Sequence, residues 1–201
     1  MGIQNNMVPY DRRCARSRSR SPTKLPNSKM DSPVSGWKLG EQIEGENGLK
    51  FASLTMGGGP VTLTINGIAP FEPSSWGDNP VKNLDIRLDG PTEEKMTCMQ
   101  ACIGERFSLP KYQENAFKTF LNKNAEFPAN IRFKLGSGST GTSYWDKDKK
   151  LIKPPESFQG ATFDVKLILK GVWYSGDCWG VSLQAMDLML TKEAPVPDCP
   201  F

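Results

Sequence analysis

The chain has 201 residues, of which 25 are Lys or Arg and 22 are Asp or Glu, for a formal charge of +3. It contains no histidine, which excludes Ser-His-Asp and Cys-His nucleophiles, a histidine general base and histidine-ligated metals. The charge is uneven: residues 1–30 hold seven basic side chains and one acidic, so a +6 segment precedes a body of net −3.

Residues 1–35 are poor in aliphatic side chains and rich in Arg, Ser, Pro and Asn, which predicts a disordered tail. Arg12 and Arg13 precede the tract RSRSRSP, which contributes Arg16, Arg18 and Arg20 and ends in a Ser-Pro step. Such a tract binds phosphate backbones, acts as a nuclear import signal, or switches charge when Ser17, Ser19 or Ser21 is phosphorylated. The bland alternative is a solvated tail. No run approaches the roughly 18 apolar residues of a membrane span, and no signal-peptide stretch opens the chain. The expectation is an intracellular protein without a membrane partner. Five cysteines (Cys14, Cys98, Cys102, Cys178, Cys199) lack paired zinc spacing and read as reduced thiols, so no metal or cofactor is expected.

From Gly36 to residue 192 the pattern is globular. Leu49–Met56 and Val61–Ile65 read as strands around the turn Gly57-Gly58-Gly59-Pro60, and Leu84–Leu88 alternates as a third. The period then changes. Met96, Met99, Ile103 and Phe107 fall at helical spacing, with Thr92 as cap and Cys98 and Cys102 sharing one side as buried thiols. Lys111–Asn122 repeats the helical pattern through Tyr112, Ala116, Phe117, Phe120 and Leu121. Asn130–Leu135 returns to strand, Gly136–Lys153 reads as a loop, and Phe163–Tyr174 with Cys178–Leu190 forms a long hairpin. Prolines end regular structure after Thr191, leaving 193–201 as an extended tail. The expected class is mainly β: a barrel or sandwich of about five to eight strands with two inserted helices.

Residues 123–170 carry nine basic and five acidic side chains, a net +4 inside an otherwise acidic body. Such a stripe localises a polyanion footprint. On one strand face Lys166 and Lys170 stand together, and Arg132 and Lys134 do the same on Asn130–Leu135. Phe163, Val165, Leu167, Leu169 and Trp173 form the opposite, core-facing row of their strand. Tyr144 and Trp145 lie in the loop beside Lys147, Lys149 and Lys150; they either stack bases or fold back over the barrel end. Trp173 and Trp179 flank the hairpin turn, and one is expected buried and one available.

The block VKLILKGVWYSGDCWGVSLQAMDLML resembles the C-terminal hairpin of single-stranded DNA-binding proteins of nucleocytoplasmic large DNA viruses. Those are distantly similar to podovirus phage single-stranded DNA-binding proteins. The shared features are a strand alternating apolar residues with lysines, Gly171-Val172-Trp173, a short polar turn, and Trp179-Gly180-Val181. The resemblance implies an OB-fold and a non-enzymatic protein that coats and protects single-stranded DNA in viral replication, recombination or repair. It also implies work in the host nucleus or at a cytoplasmic viral replication site, with self-association left open. The ending DCPF is similar to the DxPF tip of bacterial single-stranded DNA-binding proteins. Carried over, Asp198, Pro200 and Phe201 dock replication or recombination proteins, although the bacterial run of aspartates is reduced here to Glu193 and Asp198. Two other readings stay open: an RNA-binding or RNA-processing protein, and a virion β-sandwich protein with a genome-binding basic arm. No pair of carboxylates stands in nuclease or glycosidase spacing, so an enzyme is not expected.

Overall fold

The computed structural model describes residues 34–45, 48–75, 81–107, 116–123, 127–137, 141–176 and 178–195. The arginine-serine segment with Arg12, Arg13, Arg16, Arg18 and Arg20, and the tip residues Asp198, Pro200 and Phe201, lie outside them. The chain divides into Met1–Met30 and Asp31–Phe201, and every described residue belongs to the second unit.

Among the described residues the strands are β1 (Trp37–Glu44), β2 (Lys50–Met56), β3 (Gly59–Ile68) and β4 (Asn83–Leu88). The helix α1 (Gly90–Phe107) follows. After it come β5 (Ala116–Lys118), β6 (Leu121–Asn122), β7 (Asn130–Leu135), β8 (Ser143–Trp145), β9 (Leu151–Ile152), β10 (Thr162–Ser175) and β11 (Cys178–Lys192). Five of these strands close a ring: β10 pairs with β3, β3 with β4, β4 with β7, β7 with β11, and β11 with β10. All pairings in the ring are antiparallel except β7 with β11. A closed five-stranded Greek-key ring is the OB-fold arrangement.

The remaining strands decorate the ring. Thr162–Leu169 of β10 pairs with β3, and Gly171–Tyr174 pairs with β2, which carries β1 on its other edge. The hairpin β8–β9 extends from the far end of β11. Alternation explains the interior: Phe163, Val165, Leu167 and Leu169 of β10 are buried against Ile65, Ile86, Ile131, Phe133 and Leu183 from the neighbouring strands. Met96, Met99, Ile103 and Phe107 form the buried stripe of α1, and the Phe107 ring stacks on Trp37 at 6.5 Å. Arg106 Nη2 donates to the Trp37 carbonyl at 3.0 Å, tying the end of the helix to β1.

Several expectations from the sequence are corrected. More strands form than expected, because four have only two or three residues. One helix forms among the described residues. Of the expected second helix, Ala116–Lys118 and Leu121–Asn122 are extended, as β5 and β6, with a bend between them, while 111–115 lie outside the described residues. Phe117, Phe120 and Leu121 do sit at helical spacing, but pairing of β5 with β11 and of β6 with β7 overrides that pattern. Phe120 and Leu121 are buried there and Phe117 packs against the core. The loop expected at Gly136–Lys153 contains β8 and β9, and β1 precedes the first strand expected. Cys98 is exposed and Cys102 half-buried, so the thiols are not a buried pair. Burial and the neighbouring Cys102 thiol raise the Cys98 pKa.

The cap of α1 is Asp89, not Thr92: the Thr92 amide donates to Asp89 Oδ1 at 2.8 Å. The Thr92 hydroxyl and amide hold the Asp89 carboxyl below its ordinary pKa. Glu72 does similar work, accepting from Ser157 Oγ at 2.6 Å and from the amides of Phe158 and Gln159 at 2.9 and 3.0 Å. Burial raises its pKa, but these three donors outweigh it and the net shift is downward. A depressed carboxyl contributes stability that is present above its unfolded pKa and lost as pH falls through the folded one. Thermal melts should therefore weaken as pH drops below about 4.5, the ordinary value for Glu72. Asp89→Ala and Glu72→Gln should each lower the melting temperature at neutral pH and flatten that acid slope.

Candidate nucleic-acid interface

The hairpin that closes the barrel also builds an outer groove. Along β10 the register to β11 slips between Leu169, opposite Leu183, and Gly171, opposite Ser182. Lys170 is the extra residue, and the bulge reverses the facing of everything after it. Val172 and Tyr174 are buried, while Trp173 points outward and is part-exposed. The core-facing row expected from strict alternation thus holds through Leu169 and fails for Trp173.

Two glycines seat the aromatic rings on this outer face. Trp173 pairs with Gly180, and a Cβ added to Gly180 would stand 2.7 Å from Trp173 Cζ2, so the indole lies on bare backbone. Phe51, the partner of Trp173 on β2, comes as close to Gly171: a Cβ there would be 2.6 Å from Phe51 Cζ. Phe51 and Trp173 line one wall of a groove of about 530 Å³, and Asn83, Arg132 and Lys134 line the other. Ser182 lies between, and Leu49 (42% exposed) stands at the rim.

The cations of the groove differ in their partners. Arg132 makes a bidentate pair with Asp85 across the β7–β4 ladder, with Nη2–Oδ2 at 2.7 Å and Nε–Oδ1 at 2.9 Å. That hydrogen bonding raises the Arg132 pKa. Lys134 is exposed and has no ion-pair partner among the described residues.

The structure brings Arg132, Lys134 and Trp173 together in one groove, which the other sequence candidates do not line. Trp179 is 2% exposed, stacked on Phe117 at 4.4 Å and on Tyr174 at 6.2 Å, so its ring faces the interior. Tyr144 and Trp145 belong to β8, which pairs with Asp187–Met189. That is roughly 25 Å along β11 from Gly180, at about 3.4 Å per residue. Tyr144 packs edge-on against Phe158 at 6.0 Å, and burial raises its pKa. Trp145 is half-buried and donates from Nε1 to Asp187 Oδ1 at 3.0 Å. Lys147, Lys149 and Lys150 are exposed in the turn after β8, which Asp146 organises by accepting from the Asp148 and Lys150 amides. Lys149 adopts positive φ there. Lys166 and Lys170 are exposed on the outer face of β10, with Lys166 opposite Thr64 and Asp187.

Phe51, Asn83 and Ser182 escaped the sequence reading. Their outward placement is recoverable from alternation within each strand, but which strands stand side by side is not. Among the described residues no three metal-capable side chains cluster, and no helix is long and apolar enough to cross a membrane.

No protein-family model and no curated protein matches the chain. Solved structures do resemble it. The single-stranded DNA binding protein gp2.5 encoded by bacteriophage T7 superimposes with a TM-score of 0.51 and 17% identity, covering 70% of this chain and 96% of that one. The single-stranded DNA-binding protein from bacteriophage Enc34 in complex with ssDNA gives 0.42 and 10%, covering 85% and 96%. Without ssDNA it gives 0.44 and 9%, covering 82% and 96%. At 17% identity, the likeness to the T7 protein is one of fold: this chain is built on the same barrel.

Proposed function

We propose that this chain binds single-stranded DNA, largely without regard to sequence, in the groove between Trp173 and Lys134. The observation that carries the reading is the Trp173 ring laid over Gly180 beside Phe51, facing Arg132 and Lys134 across the groove. A ring face stacks any base, and the cations opposite it take the backbone. The face formed by the second and third strands of an OB ring, here β4 and β7, is the one that holds oligonucleotides in that fold. The T7 protein of like fold is a single-stranded DNA binding protein. In this reading the chain holds a strand rather than altering it.

The finer reading places this activity in viral DNA replication, recombination or repair, as the resemblance of the β10–β11 block to large DNA virus proteins suggests. Asp198, Pro200 and Phe201 would dock partner proteins, and the arginine-serine tract would add a sequence-independent anchor or a nuclear address.

Titration with oligo(dT) at low salt tests the groove. Tryptophan fluorescence should be quenched, and log K should fall linearly with log salt, by about 0.7 per phosphate contact. Oligo(U) of equal length should compete more weakly. Unchanged fluorescence and no bound oligonucleotide at low salt would sink the reading, and preference for oligo(U) would redirect it to RNA.

A further inference from the structure

The outer face of the β4–β7 ladder does not end at the groove. Its outward rungs run from Asn83–Lys134 through Asp85–Arg132 to Arg87–Asn130. That spans about 14 Å at roughly 3.4 Å per residue. At the far end a second cavity of about 450 Å³ contains Arg87, Asn130, Phe71 and Phe127. Phe71 is 63% exposed and Phe127 60%, the two exposed phenylalanines among the described residues. Asn130 is held by Asn122 Nδ2 at 3.1 Å, whereas Arg87 is exposed and has no ion-pair partner among the described residues.

The geometry points to a second base-stacking subsite at Phe71 and Phe127, which takes bases of the same single strand after its backbone has passed Lys134, Arg132 and Arg87. This rests on the reading that the Trp173 groove binds single-stranded DNA. Two aromatic sites then bracket a row of three cations, the arrangement a strand of alternating bases and phosphates requires. A partner without negative charge fits less well, because it would bury Arg87 with no counter-charge, whereas a strand brings its own phosphates.

Strand length separates the two subsites. The rungs between the two sites span about 14 Å, roughly four nucleotides at about 3.4 Å each, so an oligo(dT) of about 2 stays within the Trp173 groove and one of about 16 reaches both ends. In fluorescence anisotropy, the double variant Phe71→Ala/Phe127→Ala should bind the longer strand about 5- to 100-fold more weakly and the shorter one unchanged. Phe71→Trp should retain binding, and its added fluorescence should be quenched by the longer strand alone. Circular dichroism and melting curves check that the double variant is folded. Unchanged affinity for the longer strand, or equal losses on both lengths, overturns the second subsite. A double variant that lowers the assembly mass in sedimentation while keeping its affinity overturns it too, and assigns the patch to a second copy. Trp173→Ala reports on the groove itself: if it leaves both lengths unaffected, the groove reading fails, whatever the phenylalanines do.

Discussion

Trp173→Ala should bind oligo(dT) about 1–3 kcal/mol more weakly, roughly 5- to 100-fold, because it removes the ring face that Gly180 presents to the groove. Its melting temperature should change little, since the ring is part-exposed and sits outside the core. The sharper form of the experiment leaves the tryptophan in place. In Gly180→Val the new side chain begins 2.7 Å from Cζ2 and 2.9 Å from Cε2 of the indole, so the ring must leave its seat. Binding should fall by a similar factor although every aromatic and cationic residue is retained. Wild-type affinity in both variants would mean that the groove is not where the bases stack. A loss in Trp173→Ala with none in Gly180→Val would show that the ring binds without being held flat.

The contrast between Trp173 and Trp179 shows how far sequence reaches. Alternation along Phe163–Tyr174 and Cys178–Leu190 reveals two strands of one hairpin, and a short turn between them fixes that they pair. A bulge adds one residue to one strand and reverses every later side chain, yet nothing at Lys170 distinguishes it from a regular position. Trp173 is therefore misassigned to the core row by strict alternation. Trp179 is drawn inward because Phe117 and Tyr174 stack on it. Phe117 in turn arrives through a β5–β11 pairing that its local helical pattern argues against. The charge pattern was legible in the same partial way. Arg132 and Lys134 do share an outer face, but the tract from Lys147 to Lys150 lies toward the opposite end of β11. Linear charge sums cannot distinguish two ends of one strand pair. Phe51 and Gly171 meet only because β2 continues the edge of β10 that β3 begins, a long-range pairing with no local signature.

Asp85→Asn should tighten binding of single-stranded DNA, by about 1.5 kcal/mol or roughly tenfold at low salt. Asp85 holds two donors of the Arg132 guanidinium at 2.7 and 2.9 Å, the fork geometry that a phosphate would also use. A bound strand must either displace that carboxylate or forgo the arginine, and in both cases the negative charge of Asp85 remains beside the backbone. Asparagine keeps the size and one acceptor but removes the charge, leaving Arg132 to pair with phosphate. The salt slope should accordingly steepen by about 0.7, the value of one further phosphate contact on a single strand. The melting temperature should fall modestly, because the Arg132 side chain is 49% exposed but Asp85 only 13%, and asparagine retains one acceptor for the guanidinium. Arg132→Gln should act in the opposite direction, weakening binding and flattening the slope, since it deletes the cation and leaves Asp85 facing the strand. Opposite signs from two residues of one ion pair are a signature that loss of structure cannot imitate, because disrupting the β4–β7 ladder would weaken both. If Asp85→Asn and Arg132→Gln both reduce affinity, the pair serves the ladder and Arg132 takes no phosphate. If Asp85→Asn alone leaves the slope unchanged, the backbone runs past Lys134 without reaching this rung.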